Sequence, residues 1–146
     1  MKRIRYITQA AVIAAVYALL TILPVFNGIS YGPVQFRLSE ALTVLPFIWP
    51  AAIPGVTIGC LISNMFSPYP WDMLIGTSAT LAAAILTYLI GRTNKRVEYL
   101  APLPPTLLNA VIVGLEISYL SDSPFMFNFL TVGAGQTAVC YLLGIP

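Results

Sequence analysis

The sequence carries only seven basic and five acidic side chains, so any that fall inside an apolar stretch are candidates for chemistry. Glu116 is the clearest. It lies within Val113-Gly114-Leu115-Glu116-Ile117-Ser118, where a carboxylate in lipid costs roughly 2.5–3.5 kcal/mol; the plainer reading is a position close enough to a helix end to be solvated. Asn109 is seven residues earlier, two turns along the same helix face, and Tyr119 extends that face. Such an asparagine also serves as simple interhelical glue. Gln136 sits in Gly133-Ala134-Gly135-Gln136-Thr137, whose glycines admit either a neighbouring helix or a flat ligand. Arg37 and Glu40 are three apart in Gln35-Phe36-Arg37-Leu38-Ser39-Glu40. That spacing allows an ordinary helical ion pair, but the density of donors and acceptors, Gln35 and Ser39 included, also suits ligand binding. Asp72 reads most simply as the N-cap of a helix. Trp71, Tyr69 and Tyr31 fit an interfacial aromatic belt or faces on which a planar ligand stacks.

Several chemistries lack their parts. The chain has no histidine, which removes the commonest general base and metal ligand, and neither a Ser–His nor a paired-aspartate arrangement can be built. Cys60 and Cys140 lie far apart in apolar runs and read as small core residues, not a disulfide or metal pair. No Gly-rich run ends in Lys-Ser or Lys-Thr, so no phosphate-cradling loop is present. An activity driven by ATP must draw on another subunit. The expectation is no catalytic residue, no metal and no cofactor.

The elements that position these residues are membrane spans. Of the residues, 58% are hydrophobic and 8% charged, against roughly 25% charged in soluble domains. Apolar segments use nearly the whole of 1–146, predicting one transmembrane domain. The spans run from about Tyr6 to Leu23, Gln35 to Pro46–Pro50, Ala52 to Asn64, Trp71 to Ile90, Thr106 to Leu120 and Met126 to Gly144. The second and third are short for a bilayer, which needs roughly 20 residues. The first is too long for a signal-peptide core and reads as an uncleaved helix. Lys2, Arg3 and Arg5 precede it; Arg92, Lys95 and Arg96 follow the fourth span. Four spans separate the clusters, so both can be cytoplasmic, giving six spans with both termini inside. The inner side then holds six cations and Glu98. The outer side holds Arg37 against Glu40, Asp72, Glu116 and Asp122, an acidic mouth that attracts cations. On the first span Ala10, Ala14 and Ala18 recur every four residues with Ala11 and Ala15 beside them. This small-residue stripe allows close helix approach, within the subunit or to a partner.

The stretch Tyr31-Gly32-Pro33-Val34-Gln35-Phe36-Arg37-Leu38-Ser39-Glu40-Ala41-Leu42-Thr43-Val44-Leu45-Pro46-Phe47 resembles the signature of the QueT family of queuosine-precursor transporters. Ile58-Gly59-Cys60-Leu61-Ile62-Ser63-Asn64, Asp72-Met73-Leu74-Ile75-Gly76-Thr77 and Val132-Gly133-Ala134-Gly135-Gln136 are similar to the same family, so the resemblance covers nearly the whole chain. The sequence departs from it in having no basic tail after the sixth span. The resemblance implies an all-α, six-helix substrate-binding S-component of an energy-coupling factor transporter, multi-pass in the cell membrane. Its partners would be lipid, a transmembrane coupling protein and two ATPase subunits that hydrolyse the ATP, with no nucleic acid. Docking in that superfamily uses alanines four apart on the first helix, here Ala10, Ala14 and Ala18, or Ala11 and Ala15. The implied solute is a 7-deazaguanine, in particular the aminomethyl form.

That ligand suits the polar residues Gln35, Arg37, Glu40, Trp71, Asp72, Asn109, Glu116 and Gln136. A guanine edge presents adjacent N–H donors to a carboxylate, and Asn or Gln can meet its carbonyl and ring nitrogens. The aminomethyl cation needs an anion. Glu40 and Glu116 can serve different ends, in either order. Alternatives are an S-component for another vitamin-like solute, a small proton-coupled transporter, a scaffold, or, with the least support, an intramembrane enzyme.

Overall fold

A computed structural model describes residues 2–23 and 36–145. The described residues form helices joined by turns, with no strand among them. The first helix is Lys2–Ile22, the third Ala52–Asn64, the fourth Ile75–Thr93, the fifth Leu103–Ser121 and the sixth Phe125–Leu142. The second element, Leu38–Phe47, is a 3-10 helix, and single 3-10 turns at Pro70–Met73 and Glu98–Leu100 flank the fourth helix. Four helical stretches are long and apolar enough to cross a membrane: Lys2–Ile22, Pro70–Thr93, Glu98–Ser121 and Phe125–Leu142.

Burial is inverted relative to a water-soluble protein. Leu19, Ile58, Leu81, Leu89, Leu107, Leu115 and Leu130 are exposed, while Thr21, Ser39, Thr43, Asn64, Thr80, Thr87, Asn109 and Gln136 are buried. A surface this apolar needs lipid around it, and the buried polar groups need one another.

Side-chain pairings fix the direction of each pass. Tyr6 donates to the Pro50 carbonyl and Trp49 to Gln9, while Thr21 donates to Ser39; the second element therefore runs antiparallel to the first. Gly55 lies against Ala10 and Ile13, and Gly59 against Ala14 and Tyr17, so the third helix runs parallel to the first. Asn64 meets Asp72, Cys60 meets Thr80, and Gly91 lies under Phe47, which sends the fourth helix back. Thr87 donates to the Ala101 carbonyl, Asn109 to Glu40, Gly114 packs on Phe129 and Gly144 on Val44. The six passes alternate, as the charge parity predicts. Both basic clusters and both ends of the described chain share one face.

The first and third helices meet at a close seam. A Cβ on Gly59 would stand 2.7 Å from the Tyr17 Cβ and 2.9 Å from the Ala14 carbonyl oxygen. Gly55 and Gly59, four apart, interlock with Ala10 and Ala14, the small-residue packing that replaces the hydrophobic effect in lipid. Ala10 and Ala14 are therefore buried inside the subunit, Ala18 is half-buried, and Ala11 and Ala15 face outward.

The second span departs from a regular α-helix. A 3-10 helix rises about 2.0 Å per residue and seldom exceeds four residues; here it runs for ten. It covers roughly the length of the 13-residue third helix at about 1.5 Å per residue. Pro46 within it supplies no N–H. The fifth helix starts at Leu103, earlier than Thr106, because Pro104 and Pro105 fall in its first turn, where the missing donors cost nothing.

Candidate functional site

Away from the basic face, two polar centres lie side by side in the bundle. The first is built around Arg37, at the extended residue where the chain enters the 3-10 helix. Its Nη2 is 2.7 Å from Asp72 Oδ2 in a buried ion pair, and its Nη1 donates to Asn64 Oδ1 at 3.1 Å. Asn64 Nδ2 donates to the Asp72 carbonyl at 2.8 Å and approaches Cys60 Sγ at 3.3 Å. Arg37 thus clasps the end of the third helix to the turn before the fourth. It pairs with Asp72 and not with Glu40: lying before the helical ladder, it does not share Glu40's face. Asp72 is likewise no N-cap. It belongs to the 3-10 turn Pro70–Met73, while Leu74 occupies the cap position of the fourth helix with no side-chain cap bond.

The second centre is Glu40, 1% exposed. Tyr17 donates to its Oε1 at 2.5 Å and Asn109 to its Oε2 at 3.3 Å, while the Cys140 thiol meets its backbone carbonyl at 3.5 Å. Cys140 also approaches Gln136 Oε1 at 3.7 Å, which places Gln136 at the edge of this centre. Tyr17 on the first helix and Asn109 on the fifth are tied through the Glu40 carboxylate, and Cys140 on the sixth through the Glu40 backbone carbonyl. A buried charge is tolerated where hydrogen bonds satisfy it, and both oxygens of Glu40 are engaged.

Glu116 is different. It is 6% exposed, yet neither carboxylate oxygen has a hydrogen-bond partner among the described residues. It lines a cleft of about 380 Å³ between the fourth and fifth helices, with Trp71, Ile75, Ile112, Leu115, Tyr119 and Leu120. The helix explains the contrast with Asn109: seven residues at about 1.5 Å each lift Glu116 roughly 10 Å beyond the Glu40 centre on the same face. An unpartnered buried acid is costly. Its acceptors suit a cationic or N–H-rich group, and Trp71, 57% exposed on the cleft wall, offers a flat face to a ring.

The structure therefore brings Arg37 to Asp72 and Glu40 to Asn109, near Gln136, and places Trp71 with Glu116 on the wall of a cleft beside the Arg37–Asp72 centre. Gln35 and Tyr31 fall outside the described residues. Tyr69 packs against the Val113, Ile117 and Val132 cluster. Tyr17 and Asn64, which complete the two centres, were not singled out from the sequence. The signal available was a tyrosine hydroxyl in mid-span and an amide closing an otherwise apolar helix, since such groups must find partners in lipid. No histidine, cysteine or acid cluster able to hold a metal occurs among the described residues.

Comparison with known proteins bears on what this arrangement serves. No solved structure matches the chain at a significant level. The chain is 32% identical over 148 residues to a protein of Lactococcus lactis subsp. cremoris (strain MG1363) named queuosine precursor transporter QueT, an alignment covering 93% of this chain and 86% of that protein. The family model described as QueT transporter matches residues 7–146. With a match over nearly its entire length and a helical bundle built for lipid, the chain is a multi-pass membrane protein that belongs to the QueT transporter family.

Proposed function

We propose that this chain captures a queuosine precursor, a 7-deazaguanine and in particular its aminomethyl form, as the substrate-binding subunit of an energy-coupling factor transporter. The observation that carries this is Glu116: a buried carboxylate, neither oxygen hydrogen-bonded among the described residues, on the wall of a cleft that also carries Trp71 and Tyr119 on the acidic side of the bundle. A guanine edge or an aminomethyl cation supplies the donors it lacks, and Trp71 supplies a stacking face. The name of the Lactococcus relative supports the same solute class.

The basic face is then cytoplasmic, because Lys and Arg favour that side of short loops. The cleft lies toward the opposite end of the fourth and fifth helices, the side from which an imported solute arrives. Energy comes from partners, since the chain has no phosphate-cradling motif. The outward alanines Ala11 and Ala15 leave a flat strip on the first helix for a transmembrane coupling protein carrying two ATPases. The internal seam already occupies Ala10 and Ala14.

Purification from cells followed by mass spectrometry of the bound small molecule tests the solute. An aminomethyl deazaguanine is expected, and its addition should raise the unfolding temperature in detergent. A vitamin with a different ring system, recovered and stabilising in its place, would replace this substrate.

A further inference from the structure

At the opposite, basic end the fourth and fifth helices diverge. A groove of about 620 Å³ opens between them, walled by Leu86, Leu89, Leu103 and Leu107 and ending at Asn94 and Val97. Leu86, Leu89 and Leu107 are each about half exposed along it, at 45%, 49% and 52%. This groove lies between membrane-spanning stretches, so whatever fills it is apolar along most of its length.

Its end is charged. Lys95 and Arg96 are the two residues between Asn94 and Val97, in a turn pinned by the Arg96 N–H donating to Asn94 Oδ1 at 2.9 Å. Both are exposed, and among the described residues no carboxylate forms an ion pair with either. Glu98 lies against a different cleft, with Phe47 and Ile145. Arg92 stands over the Tyr88 ring, 6.0 Å from its centroid. An apolar trough therefore ends beside an exposed turn that carries two cations with no ion pair among the described residues.

We infer that this groove is a binding site for one anionic phospholipid of the leaflet on the basic side, its acyl chain between the fourth and fifth helices and its phosphate at Lys95 and Arg96. Shape selects a chain and charge selects the headgroup: a zwitterionic lipid fits the trough but brings its own cation to the turn. A basic residue near an anionic lipid surface strengthens binding roughly fivefold, so the pair should confer about a 25-fold preference for the anionic lipid.

The test is native mass spectrometry of the detergent-solubilised chain titrated with phosphatidylglycerol or with phosphatidylcholine of the same chains. The unaltered protein should retain one phosphatidylglycerol in preference to phosphatidylcholine. Lys95→Gln with Arg96→Gln should abolish the preference. Leu107→Trp, which fills the trough, should lower retention of both lipids. Lys2→Gln with Arg3→Gln removes the same charge from the same face, away from the groove, and should change nothing. Glycerol 3-phosphate should not compete. An equal loss in the Lys2 and Arg3 variant would reduce the effect to diffuse surface charge and overturn the site, as would competition by the free headgroup. No lipid preference in the unaltered chain would overturn it too and leave the trough to a helix of a partner protein.

Discussion

Glu40 and Glu116 are both buried acids, and replacing each with glutamine should give opposite results. Glu116 has no partner in the ligand-free protein, so Glu116→Gln removes a buried charge without breaking a bond. The ligand-free unfolding temperature should stay level or rise, because a buried unpaired amide costs less than a buried unpaired carboxylate. The loss appears on binding. A charge-assisted hydrogen bond contributes about 1.5–3 kcal/mol, so affinity for the aminomethyl deazaguanine should fall about 10- to 150-fold. Glu40→Gln reverses the pattern. Both oxygens of Glu40 accept, from Tyr17 and Asn109, and an amide can accept from only one while turning its own N–H toward the other donor. Stability should drop by about 1.5–3 kcal/mol before any ligand is added. Calorimetry with the amine-bearing ligand and an amine-free analogue, alongside thermal unfolding of the ligand-free variants, separates the two. If the Glu116→Gln loss shrinks for the amine-free ligand, Glu116 meets the amine; if it persists, Glu116 reads the guanine edge. Parent-like affinity for both ligands in Glu116→Gln would remove the cleft from the binding site. A Glu40→Gln variant with parent stability but lost affinity would move the site to Glu40.

Further outcomes follow from the same geometry. With Cys60 and Cys140 replaced, a cysteine at Thr93 should react with an impermeant maleimide only from inside and one at Ser121 only from outside; the reverse pattern would invert the topology. Ala11→Trp should block co-purification with the coupling protein while leaving ligand binding intact, whereas Gly59→Val should destabilise the isolated subunit, since its branched side chain meets Tyr17 and the Ala14 carbonyl; intact co-purification in Ala11→Trp would end the docking role of that strip. Asp72→Ala removes the carboxylate from the buried Arg37 ion pair and should destabilise by about 3–5 kcal/mol, with Arg37→Met in the same chain restoring part of it; no recovery in chemical-denaturation midpoints would mean that the pair matters through more than its charge.

Periodicity and charge made the number and direction of the passes legible, because each span must satisfy its own backbone and each short loop reports its side. The second span escaped that logic. Hydropathy does not distinguish a ten-residue 3-10 helix from an α-helix of similar length, and the difference decides where Arg37 points. The alanine stripe was visible but its division was not. Ala10 and Ala11 differ by about 100° around the helix, and only the Gly55 and Gly59 seam shows which of them is occupied. Asn109 and Glu116 share a face as their spacing requires, yet they serve different centres because a helix face also has length.

What the sequence could not separate was a satisfied acid from an unsatisfied one. Glu40 and Glu116 look alike in an apolar run, and both cost the same to bring into lipid. Glu40 recovers that cost through Tyr17 and Asn109, which the chain places 23 residues before and 69 residues after it. Glu116 has no hydrogen-bond partner among the described residues. A group that stays buried and unpaired reduces stability, and a bound partner that supplies its donors returns what the empty state lacks. The Arg37–Asp72 and Tyr17–Glu40–Asn109 centres then act as a frame. They hold the helices in register around Glu116, so the proposed capture of the solute by its carboxylate asks no rearrangement of either centre.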